Sequence, residues 1–430
     1  MTGNLVSLAT LWRNRFLRPG QLEALQLKKL QAVVESARRD VPFYRDLYAR
    51  AGLPPGMPRT MADLQLLPTV SKVQMRAAGL HTVVSERPGP PPALTFRTSG
   101  TTGIPLTIPL SAADFRIRSL IDFRCLLSAG MRPWHRLVTV GPGQTRPVPI
   151  HEKLGLFRTN VILGEVHPDR QVELLLKLRP DVLWCYGTEL RVLLEMPGHP
   201  LKTLRHRFLI VSGSLLDDRL RRMAEQEWGR EIFISYGCME TGRIAMECPR
   251  HEGLHVNADH MLVEILNNGR PALPGETGEV VLTALNQFNM PFIRYRLGDL
   301  AAWTGRPCSC GSTLPLICAP EGRNEDLLRF AGGKSRSPTS FSYALRSSGH
   351  LDQYQVVQET LDWIRIRIVP LPTWTTGEQD RLKQQLLASI PAGVRIDFEP
   401  VERIETPPGK HRMVISKLPP DAPAGPAPPA

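Results

Sequence analysis

The chain contains 430 residues, of which 42% are apolar and 22% are charged, and these proportions are typical of a soluble globular protein. This length exceeds one typical hydrophobic core and predicts two or three domains. The formal net charge of +12 would suit a nucleic acid, an anionic membrane or a ligand with several phosphates. The basic residues are scattered and form no stripe interleaved with aromatic residues, so we expect no nucleic-acid partner.

The N-terminal apolar segment is followed by Arg13, Arg15 and Arg18 and is not preceded by charge, which is not the pattern of a signal peptide. No later apolar run is long enough to span a bilayer. Seven cysteines are an odd number in a long chain, and this favours reduced thiols or metal ligands over a disulfide framework. The sequence therefore predicts a cytoplasmic protein with no membrane partner.

The first predicted element is an amphipathic helix over 21–40, in which apolar residues recur at helical spacing until Pro42 ends the pattern. A proline-rich segment then leads to a strand at 94–96, a Gly/Ser/Thr loop at 98–103 and a second strand at 106–110. Successive N–H groups in such a loop can surround an anion, so we predict a phosphate-binding hairpin; a solvated turn is the alternative. No Walker lysine follows the loop.

The middle of the chain predicts a parallel βαβ unit. Its parts are a buried strand at 207–211, a helix at 215–228 and a second strand at 231–235. Ligands in such sheets lie beyond the carboxyl ends of the strands. Those ends are followed here by 212–214 and by Tyr236–Gly237.

Two further units follow in the chain. After Glu264 short strands and turns predict an antiparallel sheet or a small barrel. Beyond Asp326 we expect a small α+β unit, because isoleucines alternate with arginines at 364–368 as in a half-exposed strand, and a helix is predicted at 379–390. The Pro/Ala-rich end cannot build a core.

Five short segments occur in an order that resembles the motif set of the adenylate-forming superfamily of acyl-CoA synthetases, adenylation domains and luciferases. They are "TSGTTGIP" (98–105), "SYGCME" (235–240), "RYRLGD" (294–299), "GRNED" (322–326) and "TPPGK" (406–410). Within the superfamily, "ARRDVPFYRDLYARAG" (37–52), "LLPTVSK" (66–72) and "ECPRHEGLHVNADH" (247–260) resemble the phenylacetate-CoA ligase family. The resemblance extends from about Leu22 to Lys417.

This resemblance implies a fold and a domain organisation. The fold class is α/β, with a large N-terminal region of βαβ sheets and a small β-barrel-like part, followed by a small mobile α+β domain. The implied boundaries are 1–322 for the adenylation domain and 323–418 for the mobile domain. The Pro/Ala-rich composition of 419–430 predicts a disordered tail.

The implied activity is an ATP-dependent acid–thiol ligase. The enzyme would form an acyl-adenylate from ATP and a small-molecule acid, with Mg²⁺ as cofactor, and then transfer the acyl group to coenzyme A. An aryl or arylacetic acid is the expectation. A carrier protein or an amine as acceptor, a homodimer, and a basic scaffold that binds nucleic acid without activity remain open alternatives.

The resemblance also implies a set of nucleotide-binding residues, and they fall into three groups. The phosphates would be bound by Thr98, Ser99, Gly100, Thr101, Thr102 and Gly103, adenine by Ser212, Gly213, Ser214, Tyr236 and Gly237, and the ribose by Asp299. The alternative for such residues is an ordinary turn or a surface carboxylate.

The resemblance also assigns roles to residues near the reacting groups. Lys410 would contact the acid carboxylate and the α-phosphate, Arg323 the ribose or phosphate, and Glu240 would bind magnesium. Glu325 would be the hinge between domains, and Tyr186 and Gly187 would line the acid pocket. The sequence departs from the family pattern at two positions beside these motifs. Ile104 replaces a lysine of the phosphate loop, and Leu297 replaces a threonine.

The cysteines provide a separate signal. Cys248, His255, Cys308 and Cys310 would form a structural zinc site, since three thiolates and one imidazole suit tetrahedral zinc. The two pairs lie too far apart in the chain for a zinc finger. His251 is the competing imidazole, and unpaired thiols are the alternative.

Overall fold

The computed structural model describes residues 7–97, 106–141, 150–164, 166–195, 203–204, 206–213, 216, 218–320, 322–323, 328–331, 335–336, 341, 344–345, 348, 350–388, 390–404 and 414–418. The chain forms two compact units. The first comprises Met1–Leu297 and Ala301–Pro320, and the second comprises Gly298–Leu300 and Glu321–Ala430. In the described ranges no helix combines the length and the apolar character needed to cross a bilayer.

The first unit opens with five helices. They are α1 (Leu8–Asn14), α2 (Pro19–Asp40), α3 (Pro42–Arg50), α4 (Lys72–Ala78) and α5 (Leu80–Val83), with a 3-10 turn at Ala62–Leu66. The predicted helix is confirmed as α2, which begins two residues earlier because proline is favoured in a first turn and the Gln21 side chain accepts the Arg18 N–H at 3.1 Å. Pro42 ends it and starts α3.

The predicted hairpin is confirmed by the antiparallel pair β2 (Leu94–Arg97) and β3 (Thr107–Leu110). Phe96 on β2 faces Ile108 on β3 in this register. The connecting loop with its Gly/Ser/Thr run lies outside the described residues.

An eight-stranded sheet forms the centre of the first unit. Its strands are β4 (Leu137–Gly141), β5 (Thr159–Leu163), β6 (Val182–Tyr186), β7 (Phe208–Ser212), β8 (Glu231–Cys238), β9 (Gly242–Glu247), β10 (Leu254–Val256) and β15 (Leu316–Ile317), in the order β15-β10-β9-β8-β7-β6-β4-β5. The helices in this part of the chain are α6 (Ala112–Ser128), α7 (Ile150–Lys153), α8 (Pro168–Leu178), α9 (Gly187–Glu195) and α10 (Asp218–Trp228).

Five neighbouring strands of this sheet are parallel, namely β5, β4, β6, β7 and β8. From β9 onward the strands pair antiparallel. The predicted βαβ unit is confirmed as β7, α10 and β8, with Phe208 paired to Glu231 and Ser212 to Ser235. The strands read as continuous apolar runs because a parallel sheet is covered on both faces.

A second sheet of the first unit has the strand order β1-β14-β13-β11-β12. Its strands are β1 (Val70–Ser71), β11 (Met261–Asn267), β12 (Arg270–Pro271), β13 (Gly278–Ala284) and β14 (Tyr295–Ala301). The antiparallel pairing of β11 with β13 agrees with the prediction. The parallel pairing of β1 with β14 joins segments more than two hundred residues apart and has no signal in the sequence.

The second unit contains a four-stranded sheet in the order β21-β20-β19-β22. The described elements of this part of the chain are β16 (Gly322–Arg323), β17 (Leu328–Arg329), β18 (Ser335–Arg336), β19 (Leu351–Thr360), β20 (Trp363–Pro370), α11 (Thr376–Leu387), β21 (Arg395–Pro400) and β22 (Val414–Ser416). The alternation along β20 is confirmed, since Ile364, Ile366 and Ile368 are 0% exposed and the arginines between them form ion pairs with Glu359 and Glu399.

Candidate active site

Glu240 lies in the acidic turn, residues 239–241, that joins β8 to β9. Its carboxylate is buried, with 6% of the side chain exposed. Two groups contact Oε1: the Tyr295 hydroxyl donates to it at 3.1 Å, and the Lys72 ammonium lies 3.4 Å away. Both contacts are made to Oε1, and the Arg118 guanidinium adds an electrostatic interaction with the same carboxylate. A carboxylate oxygen is also a ligand that hard cations prefer.

The two partners of Glu240 are held by local structure. Lys72 is the first residue of α4, where Ser71 accepts the Gln74 N–H at 3.2 Å and forms a capping box with it. Tyr295 begins β14, and burial together with the Glu240 carboxylate raises the pKa of its hydroxyl. The tyrosine is therefore a neutral donor at any physiological pH.

The carboxyl ends of three adjacent parallel strands meet at one edge of the eight-stranded sheet. Tyr186 ends β6 and pairs with Ser212, which ends β7 and pairs with Ser235 on β8. Tyr236 and Gly237 follow directly on β8. Of the predicted adenine-binding residues, Ser212, Tyr236 and Gly237 therefore lie at the same sheet edge as the predicted acid-pocket residue Tyr186. Ligands bind at this edge in open α/β sheets.

Two glycines accommodate the Tyr186 ring at this edge. A Cβ atom at Gly213 would lie 1.9 Å from Tyr186 Cδ1, and one at Gly141 would lie 2.4 Å from Cδ2. Gly213 also has a positive φ of 75°. The Trp184 indole N–H donates to the Ser212 hydroxyl oxygen at 2.7 Å, which fixes this hydroxyl and leaves it its proton and one lone pair for a ligand.

Asp299 and Arg323 come together within the second unit. They are opposite each other in the antiparallel pairing of β14 with β16. The predicted ribose carboxylate and the predicted arginine thus start from adjacent backbone positions.

Cys248, His255, Cys308 and Cys310 form a four-donor cluster in which all ligand atoms lie within 4.8 Å of one another. The Sγ atoms of Cys248 and Cys308 are 3.6 Å apart, and Cys310 Sγ lies 3.3 Å from His255 Nε2. Tetrahedral zinc sites imply ligand separations of about 3.5–3.8 Å. Burial raises the pKa of Cys308 to about 12 and lowers that of His255 to about 4.

The competing imidazole, His251, is engaged elsewhere. Its Nε2 lies 2.9 Å from Glu231 Oε1, and its Nδ1 lies 3.2 Å from Glu247 Oε2. The hydrogen bonds to these carboxylates raise the pKa of His251. Both ring nitrogens are thus occupied, which leaves His255 as the imidazole of the cluster.

Four curated relatives match the chain, and all four are named phenylacetate-coenzyme A ligase. The one from Thermus thermophilus is 29% identical over 368 residues and covers 81% of each chain. The chain is a homologue of the phenylacetate-coenzyme A ligases. No family model matches the sequence of the present chain.

Solved structures match the fold of this homologue. A 2-hydroxyisobutyryl-CoA ligase in its postadenylation state, bound to an acyl-AMP, has a TM-score of 0.78 at 22% identity, with 94% of this chain and 91% of that chain covered. The same ligase also appears in an open conformation with acyl-AMP and CoA. An O-succinylbenzoate-CoA synthetase from Bacillus subtilis with ATP and a magnesium ion has a TM-score of 0.51 at 16% identity, covering 72% and 66% of the two chains.

These comparisons confirm the predicted relationship to the phenylacetate-CoA ligases and the predicted α/β fold class. The domain boundaries and the roles of individual residues stay predictions. Within the described residues, the structure brings together the strand-end set, which consists of Tyr186, Ser212, Tyr236 and Gly237. Separately, it brings together the four-donor cluster. The predicted residues that lie outside the described part of this homologue are Thr98, Ser99, Gly100, Thr101, Thr102, Gly103, Ser214, Glu325 and Lys410.

Sequence reasoning missed two contacts of Glu240. Lys72 and Tyr295 were quoted only within longer motifs, with no role of their own. The signal available for Lys72 was its place after Ser71, which indicates a helix start. Nothing local to 72 or 295 indicates proximity to residue 240, because the contact depends on how β1, β14 and the acidic turn pack.

Proposed function

We propose that this protein activates a carboxylic acid with ATP and transfers the acyl group to coenzyme A. The observation that carries the proposal is the buried Glu240 carboxylate. It lies in the turn directly after β8, three residues beyond Gly237, and forms an ion pair with Lys72. The names of the curated relatives, and the acyl-AMP and CoA bound to the structural neighbour, support the same chemistry.

The first half-reaction joins two anionic molecules. A carboxylate oxygen of the acid attacks the α-phosphorus of ATP, and the bond from that phosphorus to the bridging oxygen of pyrophosphate breaks. Catalysis therefore consists of alignment and charge neutralisation. We assign the phosphates to Thr98–Gly103 and assign contact with both reacting groups to Lys410, whose compact ammonium suits two neighbouring anions.

The nucleoside would be bound at the ends of the strands. Adenine would stack on Tyr236 and pass close to Gly237, with residues 212–214 opposite. A close approach of a planar base requires an exposed backbone, and glycine provides it. Asp299 would accept hydrogen bonds from the ribose hydroxyls, and Arg323 would reach the ribose or a phosphate.

Glu240 fits a magnesium site because a buried carboxylate oxygen is a ligand that this hard cation prefers. When bound, Mg²⁺ would neutralise charge on the phosphate oxygens. Tyr295 and Lys72 both contact Oε1 of Glu240 and would orient its other oxygen.

In the second half-reaction the coenzyme A thiol attacks the acyl carbon, its proton leaves, and AMP departs with the bonding electron pair. We propose that the small domain first rotates about Glu325, so that one pocket serves two reactions in turn. The acid would be an aryl or arylacetic acid, lined by Tyr186 and Gly187.

Exchange of labelled pyrophosphate into ATP, measured over a panel of aryl, arylacetic and aliphatic acids, tests this function. We expect exchange with one acid class and a loss of about 10²–10³-fold in Lys410→Ala, because a charge-stabilising donor is removed. Lys417→Ala is the matched control, since Lys417 lies in the same domain and pairs with Glu359 at 2.6 Å. Exchange that survives in Lys410→Ala would reject the assignment of this lysine.

We also propose that the cluster of Cys248, His255, Cys308 and Cys310 holds one structural zinc ion. A closed set of three thiolates and one imidazole leaves no position for a substrate. The ion would fasten the segment after β9 to the segment before β15.

Zinc analysis of the purified protein should give about one ion per chain, and Cys308→Ser should reduce this value to near zero and lower the midpoint of thermal unfolding. Cys318→Ser is the control, because this thiol lies outside the cluster. Equal zinc content in the two variants would contradict the proposed site.

A further inference from the structure

Arg118 is a buried arginine on α6 that the sequence patterns did not single out. It is 8% exposed, and burial lowers the pKa of its guanidinium to about 10. Helix α6 is fixed at its start by a capping box between Ser111 and Asp114. Arg118 therefore projects from a rigid element into the interior of the first unit.

The guanidinium group binds the main chain of the acidic turn. Its Nη1 donates to the Met239 carbonyl oxygen at 3.1 Å, and its Nη2 donates to the Glu240 carbonyl oxygen. Gly242, which follows the turn, has a φ of 86° and lies so close that a Cβ there would be 3.3 Å from Arg118 Cδ. The turn and the arginine thus fit against each other.

The same side chain contacts two other segments of the first unit. Nη2 donates to Gln287 Oε1 at 2.8 Å, and Gln287 in turn donates to the Met290 carbonyl oxygen at 2.8 Å. The guanidinium carbon lies 6.0 Å from the centre of the Phe96 ring, within range of a cation–π contact. Phe96 belongs to β2, the strand that leads into the Gly/Ser/Thr loop.

From these contacts we propose that Arg118 is a positioning residue for the nucleotide and its cation, an inference that rests on the proposed function. It fixes the main-chain carbonyl groups of Met239 and Glu240, which lie on either side of the Glu240 Cα atom, and so sets the direction of the Glu240 carboxylate. Through Phe96 it also links this turn to the strand that carries the phosphate loop. A guanidinium holds its donors at fixed angles in one plane, whereas the three donors of an ammonium rotate about a flexible stem.

The inference is tested by Mn²⁺ binding to the full-length protein in the presence of a non-hydrolysable ATP analogue, measured by electron paramagnetic resonance. Arg118→Met should weaken Mn²⁺ binding by about 10–100-fold, the usual cost of losing a group that orients a metal ligand. Arg118→Lys should recover only part of the loss. Arg116→Met is the matched control, because Arg116 lies on the same helix and is exposed, and its Mn²⁺ affinity should equal that of the wild type.

A second variant covers the case in which Arg118→Met does not fold. Gln287→Met removes one acceptor of the guanidinium but keeps the arginine, and a smaller loss of Mn²⁺ affinity is expected. Thermal unfolding of each variant separates this effect from a general loss of stability. A lower unfolding midpoint with unchanged Mn²⁺ affinity in these variants would make Arg118 a structural residue and overturn the inference alone. If wild-type protein binds no Mn²⁺ with the analogue and shows no pyrophosphate exchange, both this inference and the proposed function are overturned.

Discussion

Glu240→Gln is expected to lower acid-dependent pyrophosphate exchange by at least about a hundredfold. The substitution keeps the size and burial of the side chain but removes its charge. The amide is a weak ligand for a hard cation, and Lys72, 3.4 Å from the carboxylate in the native protein, loses its counter-charge. Steady-state exchange at saturating acid and ATP, together with the Mg²⁺ concentration for half-maximal rate, measures the effect.

The control for this experiment is a partly buried, ion-paired glutamate in the same unit. Glu264 receives two hydrogen bonds from Arg294, at 3.0 and 2.9 Å, and 13% of its side chain is exposed. Glu264→Gln should lower stability but leave the exchange rate per folded molecule close to that of the wild type. Equal losses of exchange in the two variants would mean that Glu240 acts through the fold and not at the reaction site.

Arg124→Met is expected to lower the free energy of unfolding by about 3–5 kcal/mol. Arg124 and Asp259 form an ion pair at 2.8 Å whose side chains are 1% and 0% exposed. Arg124 also donates to the Leu11 carbonyl oxygen at 3.0 Å and to Asn257 Oδ1 at 2.6 Å. Removing the arginine leaves a carboxylate buried without its charge partner, and urea unfolding measures the cost.

The pair should also make stability depend on pH in the acid range. Burial raises the pKa of Asp259, but Arg124 and Asn14 outweigh it and hold the value below 3.8. The unfolded chain therefore binds the proton more readily, so the contribution is complete above this pH and is lost as the pH falls below it.

Two further variants separate the effect of the Arg124–Asp259 ion pair from that of any substitution on α6. Arg116→Met on the exposed side of α6 should change the free energy of unfolding by less than about 0.5 kcal/mol. The double variant Arg124→Met, Asp259→Leu should recover part of the loss, since apolar replacement of both partners avoids an unpaired buried charge. A loss below about 1 kcal/mol in Arg124→Met would show that solvent or another cation compensates Asp259.

Local sequence patterns determined the elements of this protein. The alternation of Ile364, Ile366 and Ile368 predicts a strand with one buried face because successive side chains point to opposite sides of a sheet. The βαβ unit around α10 follows from two apolar runs separated by one helical segment, and parallel pairing follows from the length of that crossover. The ordered motifs predicted the relationship that the curated relatives confirm, because chemistry demands particular residues at particular strand ends.

Only the tertiary structure decided which distant side chains meet. Arg118 lies 121 residues from Met239, and Arg124 lies 135 residues from Asp259. The choice of His255 over His251 depends on Glu231, which is brought beside His251 by strand pairing. Such contacts carry no local periodicity, since they arise from the packing of rigid elements whose relative placement no short stretch of sequence encodes. The sequence by itself thus determined the elements and the kinship of the chain, and packing decided the partners of Glu240, the buried ion pair and the imidazole of the four-donor cluster.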